Sequence, residues 1–325
     1  MNGTPVAATG RELGRRLRER DLTAAAAALN LIESRAPKDR EQALELLTEV
    51  SPAALGAEAA GHVIGVTGPP GVGKSSLLSR LVAEWRGRER SVAVLAVDPS
   101  SRRSGGSLLG DRARIEADPR DRSVFIRSTA AGDRLGGLAP ATRSAAAALA
   151  AAFHVVVIET VGVGQSETEV ADVADTVAVV LQPASGDVLQ FLKAGIMEVP
   201  DVLVLTKSDL EGPARRALAD LNAALLALGA TDTAICAVSS VPPPTGIDEL
   251  ADALDAHRSV LDLPARRLHA RRRHALDDFI AEHGDRGLRA LGGRIEAQRW
   301  LDQQDPGLDV PALERALDAR AGDRG

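Results

Sequence analysis

Tyrosine is absent from this chain of 325 residues, and four phenylalanines and two tryptophans supply all its aromatic rings. Proteins that hold single-stranded nucleic acid stack bases on aromatic side chains along a basic groove, so that class is excluded. Charge points the same way. Lys and Arg number 39 against 45 Asp and Glu, a net −6, where a phosphate-neutralising surface would be basic. One cysteine, Cys236, excludes an intramolecular disulfide and any Cys-rich zinc or iron–sulfur centre. Long apolar runs are also missing. The longest, 144–153, is alanine-rich and far below the about 20 residues that cross a bilayer. Residues 1–19 hold no apolar stretch of the kind a secretory leader carries. These absences predict a soluble, cytoplasmic protein in a reducing compartment that binds neither nucleic acid nor membrane.

What is present reads as a globular chain of about two domains' length, 45% apolar and 26% charged. Residues 1–60 read as a helical extension: 12–22, 24–35 and 41–50 place apolar residues at helical spacing. The arginines of 11–20 read as a solvated helical face. From Gly61 the period changes. Short, continuous, β-branched runs at 62–67, 91–98, 124–127, 154–160, 176–182, 202–207 and 234–239 alternate with helical stretches at 74–86, 141–152, 188–197, 213–228 and 247–257. Continuous apolar runs belong to strands covered on both faces. The alternation predicts an α/β fold, a doubly wound and mainly parallel sheet, over residues 61–262. Residues 263–325 read as a helical arm, with a Gly-rich break at 284–293 and a final helix pair parted by Pro306.

The strongest motif is Gly68-Pro69-Pro70-Gly71-Val72-Gly73-Lys74-Ser75, a phosphate-binding P-loop between an expected strand and an expected helix. Its backbone N–H groups and the helix N-terminus, reaching to Ser76, would cradle phosphates. Lys74 would bridge the β- and γ-phosphates, and the Ser75 hydroxyl would ligate Mg²⁺. Glu159-Thr160-Val161-Gly162 closes an apolar strand in the manner of a second metal carboxylate followed by a γ-phosphate sensor. Thr206-Lys207-Ser208-Asp209 resembles the guanine-reading N-K-x-D pattern, with Thr206 in place of asparagine. The Asp209 carboxylate would accept from guanine N1–H and the 2-amino group, or would simply cap the next helix. Ser239-Ser240-Val241 follows the last strand, where a backbone N–H would reach guanine O6.

In order along the chain, Val97-Asp98-Pro99-Ser100-Ser101, then 105–112 ending in Asp111-Arg112, then 159–167 resemble the ArgK/MeaB family. These are P-loop GTPases that serve as chaperones of adenosylcobalamin-dependent methylmalonyl-CoA-type mutases. An older family name describes a kinase of an amino-acid transport system. The resemblance implies Asp98 and Asp111 as switch carboxylates near Mg²⁺, a second switch over 159–169, and a further switch over 182–193 that includes Lys193. It also implies a homodimer formed through the C-terminal helices. Val163 stands where many GTPases carry a water-orienting glutamine, so Gln165 is the nearest alternative and Lys74, Glu159 and Gln165 are the expected catalytic set. A metallocentre-maturation GTPase would need a His/Cys cluster near the nucleotide, which this chain lacks. An ATP-dependent phosphotransferase is opposed by Asp209. The basic run 266–274 reads as a solvated or interface face of a helix, Cys236 as a small hydrophobe on a core strand, and Phe191 and Met197 as core.

Overall fold

A computed structural model describes residues 8–98, 115–130, 140–160, 166–183 and 200–322. The chain divides into two compact units, Gly61–Leu261 and Met1–Ala60 with Asp262–Gly325.

The Gly61–Leu261 unit is a seven-stranded parallel sheet with helices, as the alternating pattern predicts. Its elements are β1 (His62–Thr67), α5 (Lys74–Gly87), β2 (Val92–Asp98), β3 (Val124–Ala130), α6 (Pro140–Ala152), β4 (Val155–Glu159), α7 (Ser166–Val173), β5 (Thr176–Leu181), β6 (Val202–Leu205), α8 (Glu211–Leu228), β7 (Ala234–Ala237) and α9 (Ile247–Val260). The numbers α1–α4 belong to the other unit. The strand order is β3-β2-β4-β1-β5-β6-β7. The four central strands β1, β4, β5 and β6 are buried along their whole length, whereas β7 at the edge is half-buried throughout. Helix α5 explains its own seat. Leu77, Leu78, Leu81, Val82 and Trp85 recur at helical spacing, and all are buried against Ile64, Val66, Val94 and Val157 of the sheet.

The opposite edge of the sheet, where strands begin, is closed by side chains. Asp175 accepts from the Val63 N–H at 2.8 Å and Asp201 from the Val177 N–H at 2.8 Å, which satisfies donors at the strand starts. His62 Nε2 and His257 Nδ1 both meet Thr176 Oγ1, at 2.8 and 2.9 Å.

The second unit is helical: α1 (Gly10–Arg18), α2 (Ala25–Ile32), α3 (Pro37–Glu49) and α4 (Pro52–Leu55) with α10 (Leu263–Ala290), α11 (Arg294–Leu301) and α12 (Val310–Gly322). The helix expected over 12–22 stops at Arg18, because Arg20 takes a left-handed φ of 61° and Asp21 caps a separate short turn through Thr23 N–H at 3.0 Å. The Gly-rich break is narrower than its composition suggests. Gly284 leaves helical geometry (φ 61°, ψ −161°), the helix resumes to Ala290, and the chain breaks again at Gly292 and Gly293, with φ of 89° and 92°. Leu276 and Phe279 pack with Leu291, Leu301, Leu313 and Leu317 in one apolar cluster.

The basic run, read as a solvated or interface face, binds neighbouring segments of its own unit. Arg267 donates to the Ala59 carbonyl at 2.6 Å, Arg271 pairs with Glu58 at 2.8 Å, and Arg272 donates to the Asp302 and Gln304 carbonyls at 3.0 and 3.1 Å. Guanidinium forks serve such loop carbonyls because they carry several donors in one plane. Cys236 lies half-buried on the edge strand β7, not on a core strand. Burial, and secondarily Glu249, push its thiol up to about 11, so it stays protonated and inert near neutrality.

Candidate functional site

Parallel pairing delivers the loops nominated by the sequence to one edge of the sheet, beyond the carboxyl ends of the strands, where open α/β sheets bind ligands. β1 lies between β4 and β5, in register Val66↔Glu159 and Thr67↔Val179, so the P-loop emerges from the centre of that edge. Gly68 has a φ of 145°, and a Cβ there would stand 2.1 Å from the Val180 carbonyl oxygen of β5. Only glycine lets the loop leave the sheet this closely. Gly73 occupies the N-cap of α5 with a φ of 98°, and no side chain caps that helix. Its first N–H groups are therefore available to an anion.

Lys74 is buried, and its Nζ donates to the Gly68 and Pro69 carbonyls at 2.5 and 3.0 Å. The ammonium thus arches back over the loop where phosphates would lie. Ser75 Oγ donates to Glu159 Oε1 at 3.1 Å, joining two residues 84 positions apart as the motif reading requires. Thr67 immediately precedes the P-loop and Thr160 follows Glu159, and their buried hydroxyls have no hydrogen-bond partner among the described residues. Asp98 closes β2 on the same edge, two residues beyond the Ala96↔Glu159 pair, but its side chain is not described. Asp111, Gly162, Gln165 and Lys193 lie outside the described residues, as do Phe191 and Met197.

Beside the P-loop is a cavity of about 490 Å³. The P-loop and α5 contribute Val72, Gly73 and Ser76, the loop after β6 contributes Thr206, Lys207 and Asp209, and the loop after β7 contributes Ser240 and Val241. Three segments far apart in sequence meet here as the guanine-site reading expects. Sequence reasoning missed the other lining residues, Ser79, Arg80, Glu116, Leu210 and Pro242, because none belongs to a recognisable pattern.

Asp209 is held rigidly. Ser239 Oγ donates to its Oδ1 at 2.7 Å and in turn accepts from Val241 N–H at 3.2 Å, leaving Oδ2 without a hydrogen bond among the described residues. Lys207 adopts a left-handed φ of 54°, uncommon for a non-glycine residue. Its side chain runs back to the P-loop, where Nζ donates to the Gly71 carbonyl at 3.3 Å and to Gln182 Oε1.

Thr206 explains how the site manages without asparagine. It is buried. Its N–H donates to the Leu181 carbonyl at 2.9 Å, while its hydroxyl lies 2.6 Å from the Val72 carbonyl and 3.0 Å from that of Leu181. A hydroxyl has one proton, and the shorter contact directs it to Val72. The threonine therefore ties the base-side loop to the P-loop, the task the pattern assigns to an amide. Thr206→Val keeps the shape but strips the donor from the Val72 carbonyl. We expect a loss of about 1–3 kcal/mol, measured as a lower urea midpoint for unfolding. An unchanged midpoint would mean that the carbonyl finds another donor.

Comparison with known proteins agrees with this geometry. The profile of the family described as "Methylmalonyl Co-A mutase-associated GTPase MeaB" matches residues 25–286. A protein of Pyrococcus abyssi named as a GTPase is 40% identical over 277 residues, covering 83% of this chain and 82% of the relative. The mitochondrial methylmalonic aciduria type A homolog of Caenorhabditis elegans is 41% identical over 212 residues, covering 62% of this chain and 53% of that protein. Among solved structures, one titled as an LAO/AO transport system kinase superposes with a TM-score of 0.64 at 28% identity, covering 98% of this chain and 99% of the other.

Proposed function

We propose that this chain, which belongs to the MeaB family of methylmalonyl-CoA mutase-associated GTPases and is a GTPase, is a nucleotide-driven chaperone of an adenosylcobalamin-dependent acyl-CoA mutase. The observation that carries the nucleotide chemistry is the convergence of Lys74, the Ser75–Glu159 pair and the fixed Asp209 on one edge of the sheet. In this reading the P-loop N–H groups and the α5 N-terminus hold the phosphates, and Lys74 shifts from its loop carbonyls onto the β- and γ-oxygens. The Asp209 carboxylate accepts from guanine N1–H and the 2-amino group. Adenine lacks that donor pair and leaves the carboxylate unpaired, which disfavours ATP.

The donor set suits a hard cation. Ser75 Oγ and the Glu159 carboxylate are oxygen ligands 3.1 Å apart, and the Thr160 hydroxyl beside Glu159 and the Thr67 hydroxyl before the P-loop have no partner among the described residues. Such a set, completed by waters and phosphate oxygens, matches Mg²⁺. When bound, Mg²⁺ would neutralise charge developing between the β- and γ-phosphates. Asp98, Asp111, Gly162 and Gln165 belong to the switch segments in this reading, and Lys193 links the nucleotide state to the client. The GTPase domain is 61–262, the helical extension is 1–60, and the arm 263–325 forms a homodimer in the cytoplasm.

The client interaction rests on the family match and on the name of the Caenorhabditis elegans relative. Its test is GTP hydrolysis at fixed enzyme, with and without an acyl-CoA mutase from the same source. Stabilisation supplied in trans is worth about 10³–10⁵ in other GTPases, so we expect acceleration of about tenfold or more. Equal rates at saturating mutase would refute the client while leaving the GTPase intact.

A further inference from the structure

We propose that Arg80 is a specificity-positioning residue, holding Ser240 in place so that its N–H meets the 6-position of the base. The inference rests on the guanine reading of the cavity and extends it to a residue outside the recognised motifs. In the loop after β7, Ser239 is paired on both sides: its N–H donates to the Thr245 carbonyl at 3.0 Å, and its carbonyl accepts from Thr245 N–H at 3.1 Å. In a trans peptide the carbonyl of one residue and the N–H of the next point in opposite directions. Fixing the Ser239 carbonyl toward Thr245 therefore turns the Ser240 N–H the other way, and that N–H has no partner among the described residues. Val241 N–H is already committed to Ser239 Oγ.

The peptide from Ser240 to Val241 is thus held at its N–H by Ser239, and Arg80 holds its carbonyl end, so that Ser240 is tied from both sides. The Arg80 Nε donates to the Ser240 carbonyl at 3.2 Å from α5, the helix whose first turn belongs to the phosphate site. Arg80 and Ser240 both line the cavity that Asp209 lines. Guanine presents a carbonyl at its 6-position, which accepts from a fixed N–H. Adenine presents an amino group there, which sets donor against donor. Arg80 thus governs the reading of the 6-position, while Asp209 reads N1–H and the 2-amino group. Holding the loop from α5 also makes phosphate binding and base reading parts of one rigid body.

The experiment measures Kd for GDP, for inosine diphosphate (6-oxo, no 2-amino) and for 2-aminopurine riboside diphosphate (2-amino, no 6-oxo). The protein is the full chain, as wild type and Arg80→Ala. Losing one oriented hydrogen bond weakens GDP and inosine diphosphate roughly five- to tenfold and leaves the 2-aminopurine nucleotide unchanged. Equal weakening of all three at an unaltered melting temperature, or no change in any, overturns the assignment. If the alanine variant melts several degrees lower, Arg80→Gln takes its place in the same comparison. A wild-type protein that binds GDP no better than ADP would instead sink the guanine reading itself.

Discussion

Lys74→Ala is expected to cut kcat/KM for GTP by about 10²–10³-fold, the scale of losing one preorganised electrostatic contact to developing charge. The structure shows why no neighbour substitutes. The Lys74 ammonium is buried on the Gly68 and Pro69 carbonyls, its position set by the loop that would wrap the phosphates. Removing it leaves those carbonyls turned toward an anion with no intervening cation. Steady-state hydrolysis with a parallel GDP titration checks this. Wild-type turnover by the variant would show that the loop carbonyls are the lysine's permanent partners.

Asp209→Asn should exchange one base for another. The wild-type carboxylate is acceptor-only, lines the cavity and is pinned through Oδ1 by Ser239, while Oδ2 has no hydrogen bond among the described residues. An asparagine there keeps one acceptor and gains a donor. It loses a charge-assisted bond to guanine, about 10²-fold in GDP affinity, and matches xanthine, which carries a carbonyl at its 2-position. Competition between GDP and xanthosine diphosphate gives the answer. No side chain caps α8, whose N-cap is Leu210, and a variant that keeps GDP over xanthosine diphosphate would mean that Asp209 does not read the base.

The parts of this molecule legible in the sequence are those whose cause is local. The P-loop is one: its glycines fall where the backbone must turn through positive φ, and a strand and a helix flank it on cue. Glu159 is another, a carboxylate ending a run of valines that only a buried strand explains. Strands β1, β4, β5 and β6 are readable because a strand buried along its whole length is continuously apolar. What stayed hidden depends on partners distant in sequence. Thr206 reads as a defect in a motif until its hydroxyl is seen 2.6 Å from a carbonyl 134 positions away. Arg80 reads as an ordinary helix-surface arginine until the Ser240 carbonyl arrives from 160 positions on. The run 266–274 reads only as a solvated or interface face for the same reason, since Glu58 and Ala59 lie more than 200 positions upstream of the arginines they satisfy.

The strand order has a consequence for how the protein is made. β1 pairs with neither of the next two strands in the chain. Its neighbours are β4 and β5, and β5 ends more than a hundred residues after β1. A ribosome adding roughly 5–20 residues per second exposes β1 on the order of ten seconds before both flanks exist. Through that interval a strand that is wholly buried in the folded sheet has two open hydrogen-bonding edges, and the P-loop has no sheet to spring from. Nascent chains stalled before residue 176 should therefore engage general holding chaperones and fail to retain GTP, whereas chains released beyond β7 should bind it.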